Sequence, residues 1–210
     1  LAKRRNAKRW PQMNLRRTAA RKSKTMPHLR RLEEGNTLLA VVDMQEAFRS
    51  PIGDFALIAS RISVAVRGFR ALGQPIVVTE QYPQGLGPTV EEISLVLEDE
   101  TPTIEKYTFS ACGSDEFVKT IKAAGAKQIV ICGIETHVCV NQTAHDLISM
   151  GLEVHLLADC TASRFDHDKQ AGLAKMYASG VVPSSTEMAF FELMHDSQHP
   201  QFKEVQGLIR

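Results

Sequence analysis

Apolar residues along the chain follow two spacings that take turns. Short β-branched runs predict six strands: "TLLAVVD" (37–43), "QPIVVTE" (74–80), "TPTIEK" (101–106), "QIVICG" (128–133), "LEVHLLAD" (152–159) and "VVPSS" (181–185). Between them, apolar positions fall three and four apart, the repeat of a helix that buries one face. Segment 54–73 shows it best, with Phe55, Ile58, Ile62, Val66, Phe69 and Leu72 on one stripe and Gly73 as the stop. Further helices are predicted over 90–99, 114–127, 138–151, 166–180, 185–194 and 200–209. Ser114 and Gly125 read as the start and stop of the helix over 114–127. "QYPQGLGPT" (81–89) predicts a loop.

Strands interleaved with helices build a parallel sheet covered on both faces, joined by right-handed crossovers. The expected fold is therefore an α/β, three-layer α/β/α sandwich. Its six-stranded sheet is mostly parallel, doubly wound and Rossmann-like. Ligands in such sheets bind beyond the carboxyl ends of the strands. The polar residues at those ends are Asp43, Glu80, Lys106, the turn 133–139 and Asp159. An acid, a base and a thiol thus meet at one rim: Asp43, Lys106 and Cys139.

Charge divides the chain. Residues 1–31 hold twelve Lys/Arg and no acid, whereas the remainder holds thirteen Lys/Arg against twenty-four Asp/Glu. A basic N-terminal arm (1–31) is expected to be appended to an acidic domain (32–210). The arm reads as a solvated tail, a transit segment, a nucleic-acid or membrane-surface tail, or translated upstream sequence ahead of a start at Met26. No apolar run approaches the length of a membrane span, and no secretory h-region follows the basic start. The four cysteines show no paired metal spacing, and a domain of this size needs no disulfide framework. That usage fits a cytoplasmic protein, or a mitochondrial one if the arm is a transit segment.

A thiol reacts as thiolate, so Cys139 at the first turn of a helix is expected to have a lowered pKa. Lys106 would add positive charge, and Asp43 could take the thiol proton. Read alone, each residue has a plainer meaning: a small buried hydrophobe, a surface lysine, a turn cap. Cys132 reads as strand core; Cys112 and Cys160 read as loop thiols. His137 reads as pocket wall more than as general base. The histidines form no ligand cluster, and no GxGxxG or Walker sequence follows the first strand. No cofactor or metal is expected, and nucleic acid is disfavoured as a partner.

"AVVDMQEAF", "IEKYTFSA" and "GIETHVCV" resemble the motifs of the isochorismatase-like cysteine hydrolases. The resemblance runs from about Thr37 to the C-terminus. "TEQYPQGLGPT", "LEVHLLADCTASR" and "HPQFKEVQGLI" are most similar to the isochorismatase domain-containing branch. It implies Asp43, Lys106 and Cys139 as catalytic residues and a cis peptide at Ile134–Glu135. It also implies an oxyanion hole from the backbone N–H groups of Glu135 and Cys139. Phe48, Tyr82 and His137 would line the pocket, and a dimer or larger homo-oligomer would form. Nicotinamidases of the superfamily carry an Asp-x-His…His metal site where this chain reads "TEQYPQGLGPT", without histidine. The implied activity is metal-independent hydrolysis of a small amide, imide or related carbonyl compound through a thioester. The alternative is a non-catalytic binding or scaffold protein that keeps the fold.

Overall fold

The computed structural model describes residues 30–210. The expectations for the basic arm therefore lie almost wholly outside the described residues. Six strands form one sheet in the order β3-β2-β1-β4-β5-β6. They are β1 Thr37–Val42, β2 Ile76–Gln81, β3 Thr103–Lys106, β4 Gln128–Ile134, β5 Glu153–Ala162 and β6 Val182–Ser184. Every neighbouring pair runs parallel. The order reverses direction between β1 and β4, which is where a doubly wound sheet opens its crevice.

The helices are α1 Phe55–Ala71, α2 Pro83–Leu86, α3 Glu91–Ser94, α4 Asp115–Ala124, α5 Asn141–Ser149, α6 Asp166–Ala178, α7 Thr186–Met194 and α8 Phe202–Leu208. Alternation along the strands sends side chains to two cores. Leu39 and Val41 of β1, with Val130, Cys132 and Ile134 of β4, pack with the apolar residues of α1, α7 and α8. Leu38, Ala40 and Val42, with Ile129 and Ile131, pack against α4, α5 and α6. All six apolar residues of the 54–73 stripe are buried. None of the helices among the described residues is long and apolar enough to cross a membrane.

Four elements differ from the sequence reading, the first being the loop expected over 81–89, whose Gln81 ends β2 and whose Pro83–Leu86 form the single turn α2. The helix expected over 90–99 is one turn, Glu91–Ser94, and Leu95 beyond it lies exposed. The helix expected over 138–151 begins as a π-type turn, Thr136–Val140, before α5. The fifth strand does not stop at Asp159. Ile131 of β4 pairs with Leu156, but Gly133 pairs with Thr161, so β5 carries a bulge and runs on to Ala162. Cys160 is accordingly a buried strand residue, not a loop thiol, with its sulfur 3.1 Å from Thr186 Oγ1. Asp159 is corrected too. Its Oδ1 accepts the Thr186 N–H at 2.9 Å and its Oδ2 faces Arg61 at 3.3 Å, so it ties β5 to α7 and α1 instead of facing the crevice.

Gly133 fixes the crevice floor. Its φ is +118°, and a Cβ there would fall 2.0 Å from the Val42 carbonyl oxygen. Only glycine lets β1 and β4 approach so closely immediately before both chains turn away.

Candidate active site

Asp43 follows β1 in a left-handed conformation, φ +51°, that turns its side chain from strand to crevice. Its Oδ1 accepts the Thr79 hydroxyl at 2.6 Å. Its Oδ2 lies 2.6 Å from the Lys106 ammonium, and both side chains are almost wholly shielded from water, at 1% and 0% exposed. Lys106, the last residue of β3, also donates to Gln81 Oε1 at 2.7 Å, Thr108 O at 3.2 Å and Phe109 O at 3.1 Å. An ammonium has three hydrogens, so these three acceptors and Asp43 Oδ2, the nearest of the four, share them. Asp43 Oδ2 is itself buried, with the Lys106 ammonium as its close charged partner.

Cys139 sits within the π-type turn that follows β4 and is 7% exposed. Its sulfur lies close enough to Asp43 and Lys106 for both charges to act on it. The turn is preceded by a cis peptide between Ile134 and Glu135. The Glu135 carbonyl accepts the N–H groups of Val138 and Val140, at 3.1 and 3.3 Å, and Cys139 N–H is not among its donors. Three side chains at the end of β5 brace the turn. Glu135 Oε1 accepts the Arg164 N–H and Nε–H, each at 3.0 Å. Thr161 donates to Gly133 O at 2.8 Å and so accepts from the Thr136 hydroxyl at 2.8 Å. His137 Nδ1 lies 3.0 Å from Ser163 Oγ. The bulge that lengthens β5 is what brings these braces within reach.

One expectation about Cys139 is overturned. Burial first, and the Asp43 carboxylate second, push its thiol up to about 12, and the opposing pull of Lys106 does not reverse them. At neutral pH Cys139 is therefore a thiol, not a thiolate. Burial also raises Cys160 to about 12 and Cys112 to about 11. A thiol whose folded pKa is raised stabilises the fold while both states are protonated. That stability fades as pH climbs from the unfolded value, roughly 8.5, toward the folded one. Wild-type protein is expected to lose unfolding free energy steadily above about pH 9. Cys139→Ala should lose about 1–2 kcal/mol less by about pH 10.5. Denaturant melts at stepped pH check this, and parallel curves for the two proteins would refute it.

The residues expected to line the pocket sit on three separate segments, after β1, after β2 and after β4. Tyr82 is half exposed with φ +38° and packs 6.0 Å from the Tyr107 ring. Phe48 packs beside the α1 core. His137 faces Ser163 and, at 3.9 Å, Asp168, with its backbone under Gly172 of α6. Among the described residues no side chain of the three hydrogen-bonds Asp43, Lys106 or Cys139, although the Tyr82 N–H donates to the Lys106 carbonyl at 3.0 Å. Glu80 serves the loop after β2, accepting from the Thr89 N–H and hydroxyl at 2.6 and 2.7 Å. Cys112 lies in a short turn after β3. No group of three or more His, Cys, Asp or Glu able to hold a metal ion occurs among the described residues. Gln81 was not foreseen as a site residue. The sequence assigned it to the loop, but it is a strand residue whose register partner is Lys106.

Comparison with known proteins agrees with this architecture. An isochorismatase domain matches residues 37–188. Isochorismatase domain-containing protein 1 of Danio rerio is 38% identical over 184 residues, covering 85% of this chain. The match spans only 62% of that relative's length. Isochorismatase domain-containing protein 2 of the same species is 37% identical, covering 88% of this chain and 92% of the relative. Among solved structures, the MAR1 ribonuclease of Caenorhabditis elegans superposes with a TM-score of 0.82 at 38% identity, covering 85% of this chain and 92% of that one. The domain match runs from the first strand into α7 and takes in both β1 and the turn after β4, and the chain belongs to the isochorismatase family.

Proposed function

We propose that the protein is a cysteine hydrolase of a small, uncharged amide, imide or related carbonyl compound. One observation carries the reading. Residues from three separate strand ends, Asp43, Lys106 and Cys139, meet nearly shielded from water at the sheet's reversal point. In this mechanism Cys139 Sγ forms a bond to the carbonyl carbon as its proton passes to Asp43 Oδ2. The carbonyl π electrons move to oxygen, where the N–H groups of Glu135 and Cys139 hold the developing charge. Collapse restores the C=O, breaks the C–N bond and returns the Asp43 proton to the leaving nitrogen. Water, deprotonated by Asp43, then adds to the thioester. The thiolate leaves and is reprotonated, which closes the cycle. Lys106 supplies fixed positive charge and transfers no proton.

A neutral resting thiol suits this sequence of events. The proton leaves only when the electrophile is in place, so adventitious alkylation is slow. Uncharged substrates follow from the electrostatics, because the Lys106 ammonium beside the sulfur is already matched by Asp43. RNA hydrolysis is the rival suggested by the description of the C. elegans relative. It would need a cation free to receive phosphate, and the Lys106 ammonium is fully engaged.

The test is a panel of small amides and imides, with one RNA oligonucleotide, quenched in acid during turnover. A hydrolysed amide is expected to leave an acyl mass increment on the Cys139 peptide. Hydrolysis of the oligonucleotide alone, or amide turnover that survives Cys139→Ala without an adduct, would overturn the reading.

A further inference from the structure

We infer that Thr79 is a positioning residue of this site: its hydroxyl holds the Asp43 carboxylate in one orientation, with Oδ1 tied to β2 and Oδ2 against the Lys106 ammonium, ready for the Cys139 proton. The inference rests on the roles proposed for Asp43, Lys106 and Cys139, and assigns a further residue to their site.

Thr79 lies on β2 in register with Val42, the residue before Asp43. Alternation puts it on the sheet face of Val77, which packs in the same apolar core as Val42 and Cys139. Thr79 is itself 1% exposed. A valine would suit that core as well, and a hydroxyl at such depth costs stability unless it is bonded. Among the described residues the only hydrogen bond of this hydroxyl is to Asp43 Oδ1, at 2.6 Å. Donation to a carboxylate at that length is a charge-assisted bond, one of the stronger kinds.

Asp43 needs such a fixed point. It stands just past the end of β1, and rotation about its Cβ–Cγ bond would exchange its two oxygens. The Lys106 contact at 2.6 Å does not prevent that, because an ammonium is a point charge served equally by either oxygen. The Thr79 hydroxyl does, because it marks one oxygen as Oδ1 and leaves the other to Lys106 and the incoming proton. It donates to Oδ1 whether Asp43 is a carboxylate or an acid protonated on Oδ2.

The neighbouring charges are committed elsewhere. Glu80, next to Thr79, accepts from Thr89, and Glu105, next to Lys106, accepts from Gln84 at 3.2 Å. Glu135 on the nucleophile turn is matched by Arg164, and Asp159 by Arg61. The backbone link is independent of the side chain, since the Asp43 N–H donates to the Thr79 carbonyl at 3.0 Å. Two substitutions therefore separate hydroxyl from packing. Thr79→Val keeps the β-branched shape and removes the donor. Thr79→Ser keeps the donor and removes a buried methyl group.

The experiment is alkylation of the full chain by acrylamide, a small neutral amide. In that step Cys139 Sγ forms a bond to the terminal alkene carbon and the π electrons move toward the carbonyl. The sulfur's proton passes to Asp43 and then to the carbon beside the carbonyl. Near neutral pH a thiol pushed up to about 12 depends on a base within the site, whereas at higher pH hydroxide competes with that base. The rate at Cys139 is read by peptide mass spectrometry against Cys112 in the same sample, at about pH 7 and about pH 9.5. Thr79→Val is expected to slow Cys139 on the order of 10-fold at the lower pH and less than about 3-fold at the higher. Thr79→Ser is expected to stay within about 2-fold of wild type at both.

A purely structural role would move both variants alike, and by the same factor at the two pH values. That pattern, or an unchanged Thr79→Val, would overturn the inference. Should Thr79→Val not fold, Thr79→Ala also lacks the hydroxyl and is expected to show the same deficit. Alkylation needs no hydrolysable substrate. The deficit without any hydrolysed amide would refute the proposed reaction and leave the role of Thr79 standing, and hydrolysis without the deficit would do the reverse. With a hydrolysed substrate, Thr79→Val is expected to lower kcat on the order of 10-fold at little-changed KM, and Thr79→Ser to keep it.

Discussion

Cys139→Ala is expected to abolish turnover, with kcat falling on the order of 10⁴-fold or more, while the protein stays folded. The two halves of that result have different physical sources. Chemistry is lost because, among the described residues, no other sulfur or hydroxyl lies against both Asp43 and Lys106. Folding survives because the sulfur fills little of the core. It borders the β1–β4 face packed on α5 and remains slightly open, and its proximity to the Asp43 carboxylate already disfavours ionisation. Unfolding free energy is expected to move by about 1 kcal/mol or less near neutral pH. The control is Cys132→Ala. That thiol is fully buried on the opposite face of the sheet, 3.8 Å from the Ala40 carbonyl. Its loss should affect stability and spare kcat. Measuring kcat and urea midpoints for both variants separates three accounts. A nucleophile loses activity only in Cys139→Ala, a structural cysteine loses stability without selective loss of activity, and a binding protein has no turnover to lose.

Much of this site was legible from the chain because a parallel sheet places its strand ends together. Locating the end of each apolar run was enough to bring Asp43, Lys106 and Cys139 to one rim. Residues whose role depends on where a strand truly ends were missed. "ADCTAS" carries turn-forming residues, so the strand seemed to stop at Asp159. Only the pairing of Gly133 with Thr161 reveals the bulge, and pairing has no signature in a single sequence. The braces Thr161, Ser163 and Arg164 were hidden for that reason. Gln81 was hidden by the Pro/Gly-rich segment beside it. The protonation of Cys139 was misjudged for another reason. A helix start and a lysine can be read from sequence, whereas desolvation and a carboxylate beside the sulfur exist only once the layers have packed.

Asp43→Asn should do more damage to the fold than Cys139→Ala, and the arrangement of charges explains why. The substitution keeps shape and tolerates the left-handed backbone at φ +51°, since asparagine visits that region readily. What it removes is the counter-charge of a lysine side chain that is 0% exposed. Breaking one side of a buried pair typically costs about 3–5 kcal/mol, most of it the burden of the charge left behind. Lys106 retains Gln81 and two backbone carbonyls, which places the expected loss near the lower end, about 3 kcal/mol. Urea unfolding should show the midpoint falling with an unchanged slope. Lys106→Met strands the carboxylate instead and should be similarly harmful. The double variant should then be less destabilised than the sum of the two, because neither charge is left alone. Strict additivity, or an Asp43→Asn variant within about 0.5 kcal/mol of wild type, would show that the pair is not a coupled ion pair in the folded protein. Turnover should be absent from all three variants. Only the double variant can lose activity while keeping most of its stability, which would show that the buried charges are held for chemistry and not for the fold.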